Sequence, residues 1–553
     1  MRSLSLAAGL LTVALAAGTA VAYQDQQAFS LPQQDNAERI TFASSSHTAN
    51  FKGQKVVRFS TSSESQHKQL IQQAHSLGLD VWGAQLGAAC GTDVLGCVDI
   101  RLASDTHNED PQRLSASSSE EILAGLMQPF AEQHHSPRTT TLIEDLDQLV
   151  SEQRSQRQSG NQVTAMRRSQ AWHHEYHSFD EIVEYMRMLQ QSYPSHAKVI
   201  EIGKTHEGRP ILALQISNGL DAPAPPSPPS DPEPEPQPDP PSNISSTDQK
   251  LGIVITGGQH AREWISTSSS LFFASDLLRA ALGAPSSPNT TFSPDNLSAL
   301  KKKKGKKGRK PRRIPPTWTR SSARTILSTF TITVIPVTNP DGYVYSWDHN
   351  RMWRKNRQPN KFPGGIFCKG VDLNRNYGYE FASGGSACSE MFAGTEAFSA
   401  EETKAVATFL GDEANNVRGY VDLHSYGQLM MYPYSWSCDE AVADEEDLLE
   451  LSLGAVSALK RVHGRAFNVG KICQVYATGG GNAVDWSYAS ETAVDGSGKS
   501  KIKWSYSVEL RDGGTYGFLL PKEQIVPASE EVAASLAYVL EFIRKKDSRL
   551  RVG

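Results

Sequence analysis

The sequence predicts an α/β fold: a mixed, mostly parallel sheet with helices on both faces, preceded by a small α+β open sandwich. Three observations predict it. From about residue 173 the apolar runs KVIEIG, ILALQIS, LGIVITGG, TFTITVIPV, VRGYVDLH and IKWSYSVEL are separated by helical stretches. Near-continuous apolar strands of this kind are buried on both faces of a sheet. Upstream, residues 54–150 repeat the pattern on a smaller scale. Finally, 553 residues are too many for one ordinary domain.

Taken in order, residues 1–22 (MRSLSLAAGLLTVALAAGTAVA) have one Arg, an apolar core and a small-residue end at Ala20-Val21-Ala22. This predicts a secretory signal peptide and hence a secreted chain, with wall and vacuole as further destinations. The stretch is too short to predict a membrane span. Residues 23–53 are polar and predict a loose segment. In 54–150, KVVRFS, LDVWG and CVDIRLA predict strands, SESQHKQLIQQAHSLG and SSSEEILAGLMQPF predict helices, and TTTLIEDL predicts a closing strand. Residues 151–172 predict a linker, and Arg167-Arg168 within it a processing site for an activating protease; two surface arginines are the bland alternative. The domain from 173 to 545 includes the helical stretches SFDEIVEYMRMLQQSY and AEETKAVATFLGDEA, with a tail at 546–553.

Inserts near 220–245 (Pro-rich, acidic) and 285–317 interrupt this domain and predict solvated loops. The second contains the basic run KKKKGKKGRKPRR, 301–313, read as a surface loop, with polyanion binding as the alternative. The run lacks interleaved aromatics, and the net charge of −5 is small, so nucleic acid is not an expected partner. Six cysteines fall in close pairs along the chain: Cys90 with Cys97, Cys368 with Cys388, and Cys438 with Cys473, without a C-x-x-C. Disulfides between neighbours are the simplest pairing, though others stay open. Asn243, Asn289 and Asn296 are glycosylation sequons.

The chemistry starts at ITGGQHAREWIS, which puts His260 and Glu263 at the carboxyl end of a buried strand, where open α/β sheets place ligand sites. Imidazole plus carboxylate is two-thirds of a catalytic His2Glu zinc shell. His424 ends another strand and is the candidate third ligand. DLNRN supplies Asp372, Asn374 and Arg375; WRK supplies Arg354; VELRD supplies Glu509. Such polar residues are costly to bury without partners. The histidines of HHEYH (His173, His174, His177) and His134-His135 are read as surface residues, and Trp264 and Trp486 as packing.

HAREW, NPDGY, WRK, DLNRN, LHSYGQL, DWSY and ELRDGGTYGFLLP follow one another along residues 173–545. On these motifs the chain resembles the A/B, pancreatic-type subfamily of zinc metallocarboxypeptidases. Residues 54–150 resemble that family's inhibitory activation segment, closest to a fungal carboxypeptidase-like branch linked to cell-wall organisation. The resemblance implies one Zn2+ held by His260, Glu263 and His424, with Asp372 orienting His260. It implies Glu509 as general base and Arg354 as the oxyanion partner. Asn374 and Arg375 would clamp a peptide's terminal carboxylate, Arg262 would line the next subsite, and Tyr476 would close over the terminal residue. Val484, before DWSY, would floor the side-chain pocket and favour hydrophobic C-terminal residues. The implied partners are peptide or protein C-termini and the chain's own pro-segment as inhibitor.

The spacing from Tyr476 to Asp485 is one residue longer than in the resembling enzymes. Many members of the resembling branch lack the catalytic glutamate, whereas this chain has Glu509. The leading expectation is a secreted carboxypeptidase zymogen. In it, Cys368–Cys388 and Cys438–Cys473 would staple loops of the catalytic domain, and Cys90–Cys97 would sit in the pro-segment. The alternatives are a catalytically inactive zinc-binding relative acting in wall organisation, and a polyanion-binding surface protein.

Overall fold

Every second residue of a strand faces the same way, and both sheets use that alternation to bury two faces. The computed structural model describes residues 48–90, 94–102, 119–131, 136–159, 172–220, 250–284, 317–360, 368–383, 385–476, 479–489 and 502–547. The expected signal peptide, Arg167-Arg168, His134-His135, the three sequons, the basic run and most of both inserts lie outside the described residues.

The smaller unit contains β1 (Lys55–Thr61), α1 (Glu64–Ser76), β2 (Asp80–Leu86), β3 (Gly96–Leu102), α2 (Ser119–Met127), β4 (Arg138–Ile143) and α3 (Leu146–Ser159). Its four strands are antiparallel in the order β2-β3-β1-β4. Ser63 Oγ starts α1 by accepting from the Gln66 amide at 3.1 Å. Val57, Phe59, Val98 and Ile100 pack under Leu70 of α1 and Leu126 of α2. Val56 and Trp82, on the opposite face, pack against Met352, Tyr426 and Phe518 of the larger unit.

The larger unit runs α4 (Phe179–Ser192), β5 (Ala197–Lys204), β6 (Pro210–Ile216), β7 (Leu251–Thr256), α5 (Trp264–Leu282), α6 (Arg320–Thr329), β8 (Phe330–Ile335), α7 (Pro340–Asp348), α8 (Glu401–Gly411), β9 (Val417–His424), β10 (Leu429–Tyr432), α9 (Glu445–His463), β11 (Asn468–Lys471), α10 (Ala483–Ala489), β12 (Trp504–Glu509) and α11 (Ile525–Lys546). Its sheet has the order β11-β10-β12-β9-β7-β8-β6-β5. The central strands β12, β9, β7 and β8 are parallel, as is the β10–β11 pair. The β12–β10, β8–β6 and β6–β5 pairs are antiparallel. The expected mixed, mostly parallel sheet is therefore present. All six residues of β7 are buried. Ile253 and Ile255 face one apolar layer with α5 and α11, and Val254 faces the other with α8 and α10.

Four expectations change. His173 of HHEYH is buried, with Nε2 2.8 Å from Ser275 Oγ and 3.0 Å from the Tyr185 hydroxyl, because Trp172 and Tyr176 pull this segment into the core. The polar stretch ending at 53 contains buried Phe51, and the Ala49 amide donates to the His349 carbonyl at 3.0 Å. Helix α3 runs through the expected boundary at residue 150, with Leu146 and Val150 buried. The short strands β10 and β11 add to the expected elements.

The cysteines pair between neighbours. Cys90 is bonded to Cys97 in the small unit, closing a loop at the start of β3. In the larger unit Cys368 is bonded to Cys388, and Cys438 is bonded to Cys473. Cys388 lies in the segment that follows the DLNRN loop, and Cys473 lies just after β11. None of Cys90, Cys97, Cys368, Cys388, Cys438 and Cys473 is free, so these six are structural staples and offer no thiol for catalysis or metal binding. Among the described residues no helix is long and apolar enough to cross a membrane.

Candidate metal centre and active site

Strands β7, β9 and β12 end side by side, and the chain places its polar residues at those ends. After β7 the backbone turns through Gly258, at φ +59°, where a Cβ would lie 2.8 Å from Thr267 Oγ1. The turn delivers His260, and Glu263 immediately precedes α5. His424 is the last residue of β9 and pairs in register with Glu509, the last of β12.

These side chains converge. His260 Nδ1 lies 2.9 Å from Glu263 Oε1, and His424 Nδ1 lies 3.1 Å from both Glu263 Oε2 and His260 Nδ1. One ligand atom from each of the three falls within 4.8 Å of the others. Each ring is held by a carboxylate on its far nitrogen: His260 Nε2 is 3.1 Å from Asp372 Oδ1, and His424 Nε2 is 2.7 Å from Asp422 Oδ2. With hydrogens at both Nε2 positions, both Nδ1 lone pairs face each other and the Glu263 carboxylate. Three facing acceptors repel unless a cation sits among them. Two imidazoles and a carboxylate are a donor set suited to zinc.

Burial opposes a charged His424 ring, but Asp422 and Glu263 beside it hold its pKa well above the ordinary value. Burial opposes charge on Glu263 as well, yet His260 and His424 draw its carboxyl down. Burial, helped by the nearby Glu263, pushes the Glu509 carboxyl up to about 8. Glu509 Oε2 has no hydrogen-bond partner among the described residues.

The other expected residues line the same cavity, of about 50 Å³. Arg354 donates to Asp372 Oδ2 from Nη2 at 2.9 Å and comes within 3.8 Å of Glu263 Oε1. Arg375 Nη1 donates to the Asn374 carbonyl at 2.7 Å, and Asn374 Oδ1 accepts from the Ala483 amide at 3.0 Å. Tyr476 and Val484 also line the cavity. Arg262 is not among the residues that line this cavity; its Nη1 donates to Asp80 of the small unit at 2.9 Å.

Four residues that matter here are missing from the sequence-based expectations. Asp422 has a signal that could have found it, because on a strand it shares a face with His424 two positions on. Asp80 and Asp99 have no local signal. Asp80 binds Arg262 and also Arg101 at 3.1 Å. Asp99 takes both Nε and Nη2 of Arg58 at 2.7 Å and accepts from the Tyr426 hydroxyl at 3.0 Å. Trp82 of the small unit lines the cavity itself and stacks obliquely on Phe518 at 4.8 Å.

The zinc carboxypeptidase family Peptidase_M14 matches residues 182–291 and 316–535. Relatives include the inactive metallocarboxypeptidase ecm14 of Talaromyces stipitatus, 31% identical over 89% of this chain and 73% of the relative. The inactive metallocarboxypeptidase ECM14 of Ajellomyces dermatitidis is 31% identical over 91% of this chain and 74% of its own length. Among solved structures, thrombin activatable fibrinolysis inhibitor covers 90% of this chain and 100% of its own at TM-score 0.61 and 24% identity. Carboxypeptidase A from Helicoverpa armigera covers 90% and 99% at TM-score 0.62 and 21% identity. These two show the shared fold, and with the matched family residues and the relatives they lead to one conclusion: the chain belongs to the zinc carboxypeptidase family.

Proposed function

We propose that this chain is a secreted zymogen of a zinc metallocarboxypeptidase that removes hydrophobic C-terminal residues from peptides. The observation that carries the reading is Glu509. It is a buried carboxyl with one unpartnered oxygen, placed beside the convergent His260, Glu263 and His424.

Bound zinc would supply the Lewis acidity that activates water and polarises a carbonyl. The chain's residues would do the rest. Arg375 would take the terminal carboxylate of the substrate, since its guanidinium has only a carbonyl partner among the described residues. Asn374 would assist. Val484 would give the terminal side chain an apolar floor, and Tyr476 would close the cavity against water. Glu509 would take a proton from the attacking water and pass it to the leaving amine. Arg354 would face the carbonyl oxygen as negative charge develops on it. Cleavage at Arg167-Arg168 would free the catalytic unit, and glycans at Asn243, Asn289 and Asn296 would suit a secreted chain.

A second reading is a zinc-binding protein without turnover, acting in fungal wall organisation. The names of the relatives, which call them inactive, favour it over the first. Glu509 and the complete set of arginines favour the first. The test is release of phenylalanine from a blocked dipeptide by chain cut in the linker and freed of residues 54–159. Wild type should turn over and Glu509→Gln should lose about 10²–10⁴-fold in kcat. Equal and negligible rates from both, with zinc bound, would leave the second reading.

A further inference from the structure

Asp422 is fully buried at the centre of the sheet, and its charge has no guanidinium or ammonium partner among the described residues. Asp372, the corresponding support of His260, has Arg354 at 2.9 Å. The one ionisable partner of Asp422 among the described residues is the His424 ring itself, so a carboxylate buried here needs a reason beyond packing.

Its surroundings supply one. Tyr420, Asp422 and His424 alternate along β9 and share a face. Thr256 Oγ1, from the last residue of β7, donates to Asp422 Oδ1 at 2.7 Å and lies 3.1 Å from the Tyr420 hydroxyl. Gln259, with its amide nitrogen turned toward the carboxylate, donates to Oδ2 at 2.6 Å. The remaining direction is taken by His424 Nε2 at 2.7 Å. The carboxylate is thus fixed from behind by neutral donors and has one face left for the ring.

We propose that Asp422 is a positioning residue of the metal centre: it holds the Nε2–H tautomer of His424, aims Nδ1 at the ion and thereby sets metal affinity. The inference rests on reading His260, Glu263 and His424 as the metal ligands. Both imidazole ligands are then backed by buried carboxylates, Asp372 on one side and Asp422 on the other. The anionic support raises the basicity of each ring and restricts its rotation.

The experiment uses the full chain. Zn2+ affinity is measured by competition with a chromophoric chelator, and the visible spectrum of the Co2+-loaded protein reports ligand geometry. Asp422→Ala should weaken Zn2+ binding about 10–100-fold and alter the Co2+ spectrum. Asp422→Asn, which keeps an acceptor for the ring but not the charge, should recover part of that loss. It also carries the test if the alanine variant fails to fold. Zn2+ affinities within about twofold of wild type in both variants, with an unchanged Co2+ spectrum, would overturn the proposal while leaving the metal centre intact. A wild-type chain that takes up no Zn2+ would overturn the metal centre itself, and Asp422's role with it.

Discussion

At Val484 the side chain is buried and lines the cavity that holds Arg375 and Glu509. An apolar floor rewards an apolar terminal residue, whereas a carboxylate there would demand a cation. Val484→Asp should therefore lower kcat/KM for C-terminal phenylalanine by about 10–100-fold and raise it for lysine or arginine. Stability should fall by about 1–3 kcal/mol, because a carboxylate replaces a buried apolar side chain. Unchanged preference in a folded variant would place the specificity floor elsewhere. At this scale much is legible in the sequence. His260, Glu263 and His424 are readable because strand ends and turn spacing constrain where such side chains point. The pairing of Cys97, Cys388 and Cys473 with their nearest cysteines is readable too, because short loops bring neighbours together most easily. Asp422 is readable in principle, from the two-residue strand period, but is masked by the more obvious histidine beside it. Arg262 cannot be read from sequence alone, since its partner Asp80 is 182 residues away.

Helix α8 shows how an element reaches the site without touching it. Glu402 in its first turn is fully buried and accepts from Asn356 Nδ2 at 2.9 Å. Asn356 Oδ1 accepts from the Val371 amide at 2.8 Å, so the helix ties the loop carrying Arg354 to the loop carrying Asp372. Burial raises the Glu402 carboxyl from 4.5 to about 7, although the Asn356 bond pulls it down. Between those values the folded chain keeps a proton that the unfolded chain has lost. The stabilisation is complete below pH 4.5 and falls as pH rises through 7, on the order of 3 kcal/mol in all. Glu402→Gln should remove that loss, giving a flatter urea-midpoint profile between about pH 5 and 8. Identical slopes in the two proteins would show that Glu402 does not carry it. The elements themselves are only partly legible. Long apolar strands and the capped helices α1 and α4 announce themselves. The four-residue strands β10 and β11 do not, because their length gives no period to read and the long-range register with β12 and with each other defines them. Helix α3 is absent from the sequence-based expectations and crosses the boundary set at residue 150, because it is polar along much of its length and its buried face is set by docking.

Over the whole molecule, the small unit sits against the site through one charged pair, one hydrogen bond and an aromatic wedge. Asp80 holds Arg262, Asp99 holds Tyr426, and Trp82 reaches the cavity lined by His260, Glu263 and Glu509. A pair this buried is destabilised by several kcal/mol if one member is removed. On the proposed reading the small unit would exclude substrate while it is attached, and its departure would open the cavity and free Arg262. The fold of both units is legible as α/β and α+β from their periodicity; how one covers the other is not, because it depends on surfaces that meet only after each has folded. The measurement that bears most directly on this account compares two samples of the same preparation: intact chain and chain cut in the linker with the small unit removed. Zinc content and phenylalanine release are measured on both. One zinc per chain in each sample, with turnover only in the cut one, is the predicted result. One zinc per chain in each sample and no turnover in either, across hydrophobic and basic C-terminal substrates, would contradict it.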